Sequence, residues 1–115
     1  VLVIDAHSMA RSAAALALGF SLFDRRVTIS GVIFNRVGSK GHAEMLIDAM
    51  DSVPGIKVFG CLPRDNEIEI PSRHLGLVTG EDFGIDDQQI ERLGQWVESH
   101  LDLDLLLSCS EERDI

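Results

Sequence analysis

Three apolar runs of this chain each stop at residues able to grip a ligand. "VLVI" stops at Asp5, "SGVIF" at Asn35 and Arg36, and "VFGCL" at Pro63, Arg64 and Asp65. Asp5 suits positioning a magnesium-bound water or a substrate group, and equally suits capping the next loop by accepting backbone N–H bonds. Asn35 carries a donor and an acceptor on one carboxamide. That pair complements the N6 amine and N7 acceptor of adenine, and asparagine is also common in turns because it tolerates left-handed backbone angles. Arg36 suits stacking on a flat ring, binding phosphate, or a plain surface ion pair. The "SMARS" turn opens a helix. Its free N–H groups attract anions, with Arg11 and Ser12 as added donors, unless it is an ordinary solvated first turn.

The remaining reactive residues form no pattern. His42 and His74 each stand alone, which fits surface or helix-cap roles. Cys61 and Cys109 show no C-x-x-C or Cys/His spacing, so no metal site is expected. Cys61 reads as a small buried apolar residue, and thiols are expected over a disulfide in an ordinary intracellular chain. Neither G-x-x-x-x-G-K-[ST] nor G-x-G-x-x-G occurs, so the sequence lacks a phosphate-cradling loop.

Those residues need elements to hold them. "VLVID" (1–5) reads as a strand covered on both faces. Residues 9–23, "MARSAAALALGFSLF", predict a helix buried on nearly every side, with Ser8 as its N-cap. Residues 29–35 predict the second strand. Residues 39–53 predict a helix whose apolar face is Ala43, Leu46, Ile47 and Met50, stopped by Pro54-Gly55. Residues 56–62 predict the third strand. The stretch 63–84, with two prolines and three glycines, is long for a passive connector. Residues 85–101 predict a last helix with Ile90, Leu93, Trp96, Val97 and Leu101 inward and Asp86 or Asp87 as cap. Alternation of strand and helix implies α/β with parallel strands and right-handed crossovers. In such sheets ligands bind beyond the carboxyl ends of the strands, where the three runs stop.

Composition narrows the classes. The chain has 115 residues, one domain's worth, and a net charge of −9 from 10 basic and 19 acidic residues. No basic footprint for nucleic acid or anionic lipid exists. Five Phe, one Trp and no Tyr leave too few rings for a single-strand stacking platform. No apolar run approaches the about 20 residues of a membrane span, and the expected location is the cytoplasm. The chain opens already inside a strand-like run, so an interior piece of a longer protein is expected.

Taken in order, "VLVIDAHSMARSAAALALGF", "GVIFNRVGSKGH", "GCLPRD" and "IPSRHLGL" resemble the ATP-binding amidoligase domain of the cobyrinic acid a,c-diamide synthases of cobalamin biosynthesis. The resemblance covers roughly residues 1 to 80, and "NRVGS" with "RHLGL" is its most specific part. It implies a P-loop-NTPase-like, dethiobiotin-synthetase-like α/β fold, here a partial domain of three strands with flanking helices. It implies ATP and Mg2+ as cofactors, cobyrinic acid as substrate, and glutamine as the ammonia source through a separate glutaminase domain. Carboxylates of the corrin ring would be phosphorylated and then amidated. On this resemblance Asn35, Arg36, Pro63 and Arg64 border the adenine pocket. Asp5, Arg11 and Ser12 fall nearer phosphates and substrate, and His74 lies in a long loop on the substrate or glutaminase side.

The resemblance divides the chain into residues 1–107, belonging to the amidoligase domain, and 108–115, an acidic tail or linker toward the glutaminase domain. The family's phosphate loop and its acidic magnesium region are expected upstream and the glutaminase downstream, so this stretch alone is expected to be inactive. Neither cysteine matches the glutaminase nucleophile, and His7 stands where a smaller residue is expected. A sheet cut from a larger one exposes unpaired strand edges, which favours self-association into a homodimer. The related readings are cobyric acid synthase and dethiobiotin synthetase, the latter opposed by "RHLGL". A reading of another class is a non-catalytic ligand sensor of the same fold fused to an acetyl-group-transferring enzyme.

Overall fold

The computed structural model of the chain describes residues 1–65 and 86–110. The elements in chain order are β1 (Leu2–Asp5), α1 (Arg11–Phe23), β2 (Gly31–Val37), α2 (Lys40–Met50), β3 (Lys57–Pro63), α3 (Asp87–His100) and α4 (Leu103–Ser108). The strands form one parallel sheet in the order β1-β2-β3. The α/β expectation holds, and every strand lies within two residues of its expected place.

The core is where strand and helix side chains meet. Ile4, Val32 and Phe34 rise from the sheet, and Leu46, Ala49 and Met50 come down from α2. Ala13, Ala14 and Ala17 give α1 a smooth face that packs against α2. Small residues let two helix backbones approach closely, and that approach sets how much of each helix is buried. The expectation of an all-round buried α1 is corrected: Phe20, Leu22 and Phe23 stand exposed, Phe23 at 94%. Only the alanine face of α1 is covered, because α2 and the sheet meet it there. Likewise Ile47 is exposed and Ala49 takes its place on the buried face of α2.

The caps differ too. Ser39 accepts from the His42 N–H at the start of α2, and Asp86 forms a full capping box with Gln89 at the start of α3. Ser8 does not cap α1. The cap position is Ala10, which makes no side-chain bond, while Ser8 sits in a left-handed turn at φ 60°. The expected inner stripe of the last helix is only partly realised. Trp96, Val97 and Leu101 are half-buried, whereas Ile90 and Leu93 are exposed. Rather than continuing, α3 stops at Leu101, and Asp102 caps the short α4 through the Leu105 N–H.

Leu101 has another task. It pairs antiparallel with Gly60, and the Asp102 N–H donates to the Phe59 carbonyl at 2.7 Å. The chain's own later segment thus lies along the outer edge of β3. Gly60 is required there: a Cβ would meet the His100 carbonyl oxygen and fall 2.9 Å from Leu101 Cα. Gly31 is required for a similar reason, since the Phe59 ring occupies the space its Cβ would take.

Candidate functional site

The pairing of β2 with β3 slips twice. Ile33 pairs with Gly60 although Val32 pairs with Val58, so Phe59 is an extra residue on β3. Nearer the carboxyl end, Phe34 pairs with Cys61 and Val37 with Pro63, which leaves Asn35 and Arg36 opposite Leu62 alone. The extra residue on β2 is accommodated by a bulge in which Arg36 adopts φ 56°. A non-glycine residue in the left-handed region is uncommon, and bulges recur beside active sites because they re-aim a side chain. This is the local reason a buried strand presents two polar residues at its end.

The bulge carries polar contacts on its exposed side. The Asn35 Oδ1 accepts from the Arg36 N–H at 3.0 Å, which turns the carboxamide oxygen toward the bulge and leaves its NH2 group to point away from that bond. Asp5 pairs with Asn35 in the β1–β2 register. The Arg36 guanidinium reaches across to Asp5 with Nε–Oδ1 at 2.8 Å and Nη2–Oδ2 at 2.6 Å, a two-point fork. Asp5 Oδ1 also accepts from the His7 N–H at 3.2 Å. The Arg36 guanidinium holds the Asp5 carboxyl down to about 2 against the cost of burial, with the His7 N–H helping. Both bland readings from the sequence, a loop-capping Asp5 and an ion-paired Arg36, are therefore realised in this state. With Arg36 49% and Asp5 58% exposed, the pair is held by geometry and contributes little to stability.

The third strand end joins the same rim. Pro63 closes β3 opposite Val37, and the Arg64 N–H donates to the Val37 carbonyl at 3.3 Å. The Arg64 guanidinium hydrogen-bonds the His7 ring at Nδ1. Asp5, Asn35, Arg36, Pro63 and Arg64 are thus gathered along one end of the sheet. Arg11 and Ser12 lie on the exposed first turn of α1 and are not among the residues that these hydrogen bonds bring together. His74 lies outside the described residues.

Sequence reasoning missed two residues. In the sequence His7 stands out only as oversized, yet its backbone serves Asp5 and its ring serves Arg64. His42 was read as a surface or cap residue. It does begin α2, but its ring spans two loops, taking the Gly38 N–H at Nδ1 (3.0 Å) and reaching the Met9 carbonyl from Nε2 (2.6 Å). The spacing of His42 three residues after the Ser39 cap was the available signal.

The site's limits are equally plain. Among the described residues no group of three His, Cys, Asp or Glu side chains is placed to hold a metal ion, and the Asp5 carboxylate is already engaged by Arg36. Cys61 and Cys109 are both free thiols, and burial pushes the Cys61 thiol up. Among the described residues no helix is long and apolar enough to cross a membrane.

Comparison with known proteins matches residues 3–78 to the family model described as the CobQ/CobB/MinD/ParA nucleotide binding domain. The chain is 42% identical over 108 residues to the cobyrinate a,c-diamide synthase of Caldanaerobacter subterraneus subsp. tengcongensis, covering 94% of this chain and 24% of that protein. It is 40% identical over 112 residues to the cobyrinate a,c-diamide synthase of Archaeoglobus fulgidus, covering 97% and 24%. It is 41% identical over 111 residues to the hydrogenobyrinate a,c-diamide synthase of Mycobacterium bovis, covering 96% and 24%. The chain therefore spans about a quarter of the length of the curated relatives it matches. No solved structure matches it.

Proposed function

The chain belongs to the CobQ/CobB/MinD/ParA nucleotide-binding domain family, a P-loop NTPase-type α/β domain of which three parallel strands with flanking helices are seen here, and from that premise we propose that it is the adenine-reading part of a glutamine-dependent, ATP-using corrinoid amidoligase. The observation that carries the reading is the β2 bulge. It puts a carboxamide of fixed orientation at the carboxyl end of a central strand, beside two arginines. A rigid element is the right place for a group that must match a donor and an acceptor on one base edge. The Asn35 NH2 group donates to N7. The second lone pair of Oδ1 stays open to the N6 amine, since a carbonyl oxygen accepts twice. Arg36 and Arg64 then flank the ring, Pro63 borders it, and Asp5, Arg11 and Ser12 face the phosphate and substrate side.

The chemistry proposed for the whole protein follows from what a carboxylate lacks. Hydroxide or oxide is a poor leaving group, so the a and c carboxylates of cobyrinic acid are first phosphorylated. A carboxylate oxygen bonds to the γ-phosphorus of ATP, and ADP leaves. Ammonia released from glutamine in a separate glutaminase domain then bonds to the acyl carbon, phosphate leaves, and the amide forms. Residues 1–107 belong to the amidoligase domain in this reading, and 108–115 lead toward the glutaminase. Magnesium would enter with the phosphates; among the described residues no group of three His, Cys, Asp or Glu side chains makes a site for it.

The test is Asn35→Ala in the full-length gene product. Loss of a base-reading contact is worth about 1 to 3 kcal/mol, so KM for ATP should rise about five- to 150-fold while KM for glutamine stays in place. Equal changes in both constants, or none, would remove the adenine assignment.

A further inference from the structure

The Asp5–Arg36 fork is too exposed to hold two loops in register. Beyond the Ala6–Asn35 backbone bond, a half-buried ring that belongs to neither residue joins the same two loops. We propose that His42 is a positioning residue for nucleotide recognition: its neutral ring clips the β1–α1 loop to the β2–α2 loop and so sets Asp5 against the Asn35–Arg36 bulge. The proposal rests on the adenine reading above and extends it to a residue that touches neither base nor phosphate.

The geometry fixes the proton. The Gly38 N–H has only a hydrogen to offer, so the ring Nδ1 at 3.0 Å must present its lone pair. The Met9 carbonyl has only lone pairs, so the Nε2 at 2.6 Å must carry the hydrogen. Both ring nitrogens are satisfied in one tautomer of the uncharged imidazole. The ring itself is anchored, because the His42 backbone N–H donates to the Ser39 Oγ at 3.0 Å in the first turn of α2.

The two clipped atoms lie close to the site along the chain. Gly38 follows Arg36 by two residues, and Met9 follows Asp5 by four. The loop carrying Met9 is tied at its root by the Ala6 N–H, which donates to the Asn35 carbonyl at 2.8 Å, and His42 holds its far end. Its Ser8 is held in the left-handed region at φ 60°, and the helix it enters has no side-chain cap of its own. Its internal bond is the Met9 N–H to the Ala6 carbonyl at 3.0 Å. An exposed ion pair contributes little, whereas two hydrogen bonds from a partly buried ring are costly to lose. Without His42 the far end of the β1–α1 loop would loosen while the Ala6–Asn35 bond holds its root, and the loop's hold on the Asn35–Arg36 bulge would weaken.

The experiment compares wild type, His42→Leu and His42→Gln in the full-length gene product. It reads amide hydrogen exchange across the β1–α1 and β2–α2 loops, together with KM for ATP and for glutamine. Leucine fills the space without polar atoms, and glutamine restores one donor and one acceptor on a planar group. Expected for His42→Leu are faster exchange at Gly38 and a KM for ATP raised about three- to tenfold, with KM for glutamine unchanged. His42→Gln should recover much of both. Should His42→Leu fail to fold, His42→Asn, which reaches Gly38 but falls short of Met9, should show a smaller rise in the same constant.

Unchanged exchange in His42→Leu would overturn the clip. Faster exchange with no selective change in KM for ATP would make His42 a fold residue and overturn the positioning role. A wild-type protein that neither binds nor uses ATP would overturn the adenine reading and the role of His42 in it. The exchange data would still decide whether the clip itself exists.

Discussion

Two contacts between distant chain segments are made of opposite materials. At the outer edge of β3 the contact is made of backbone and glycine. Leu101 pairs with Gly60, the Asp102 N–H meets the Phe59 carbonyl, and the Phe59 ring fills the space above Gly31. At the carboxyl end of the sheet the contact is made of exposed polar side chains, Asp5 with Arg36 and His7 with Arg64. The first closure is backbone against backbone and leaves no room for a Cβ at Gly60. The second can be opened at little cost, as a surface that must exchange its own partners for a ligand's requires. An apolar concavity along α1 is of neither kind. It is an open groove of about 470 Å³ along α1, lined by Leu16, Phe20, Phe23, Val27 and Ile29. It lies at the amino end of the sheet, away from the polar rim.

The contrast is broken most severely at Gly60. Gly60→Ala should destabilise the protein by about 2 to 4 kcal/mol, because the new methyl meets backbone of His100 and Leu101 that no rotamer change can move. Gly94→Ala is the matched control. Gly94 lies inside α3 with open space around it, so alanine there should stabilise by about 0.5 to 1 kcal/mol. Urea midpoints of the two variants should shift in opposite directions. A smaller effect is expected one step along the same edge. Asp102→Ala removes the acceptor of the Leu105 N–H and should cost about 1 kcal/mol, leaving the backbone bond to Phe59 in place.

These differences mirror what was legible in the sequence. The parallel α/β order was readable because apolar runs, breakers and caps are local signals. Ser39 and Asp86 sit where helix-start chemistry requires them. Asp5, Asn35 and Arg64 were readable as a group because each ends an apolar run. The exposed side of α1 was not readable, since hydropathy reports what a residue prefers and not which neighbour is there to cover it. The bulge at Asn35–Arg36 and the Gly60–Leu101 contact were hidden for a different reason. Both depend on register between segments, and register leaves no mark within either segment alone. His42 was hidden because its only local mark is its place three residues after the Ser39 cap, and its two ring partners are backbone atoms.

The rim should respond weakly in stability and selectively in function. Asp5→Asn removes an ion pair that is more than half exposed, so its cost should stay below about 0.5 kcal/mol. The pH dependence has a definite sign. The folded Asp5 carboxyl is lowered to about 2 from its ordinary 3.8 by Arg36, so its contribution is fully present above the unfolded value. It fades as pH falls from about 4 through 2. Stability of wild type and Asp5→Asn, followed from pH 6 to pH 2, should therefore differ slightly at the start and converge at the acid end. A gap that widens toward pH 2 would mean that the pair does not set this titration.

Arg36→Gly should move stability least of all. The left-handed backbone at Arg36 costs an L-residue about 1 to 2 kcal/mol. Glycine removes that cost, but gives back up to about 1 kcal/mol through the greater freedom of the unfolded chain. Loss of the Asp5 fork takes back a few tenths more. The terms nearly cancel, and the urea midpoint should stay within about 0.5 kcal/mol of wild type. KM for ATP should nevertheless rise, because the guanidinium beside Asn35 is gone while the bulge that aims Asn35 survives. A loss of stability comparable to that of Gly60→Ala would mean the bulge is a packing device like the β3 edge, and the division between the two regions would not hold.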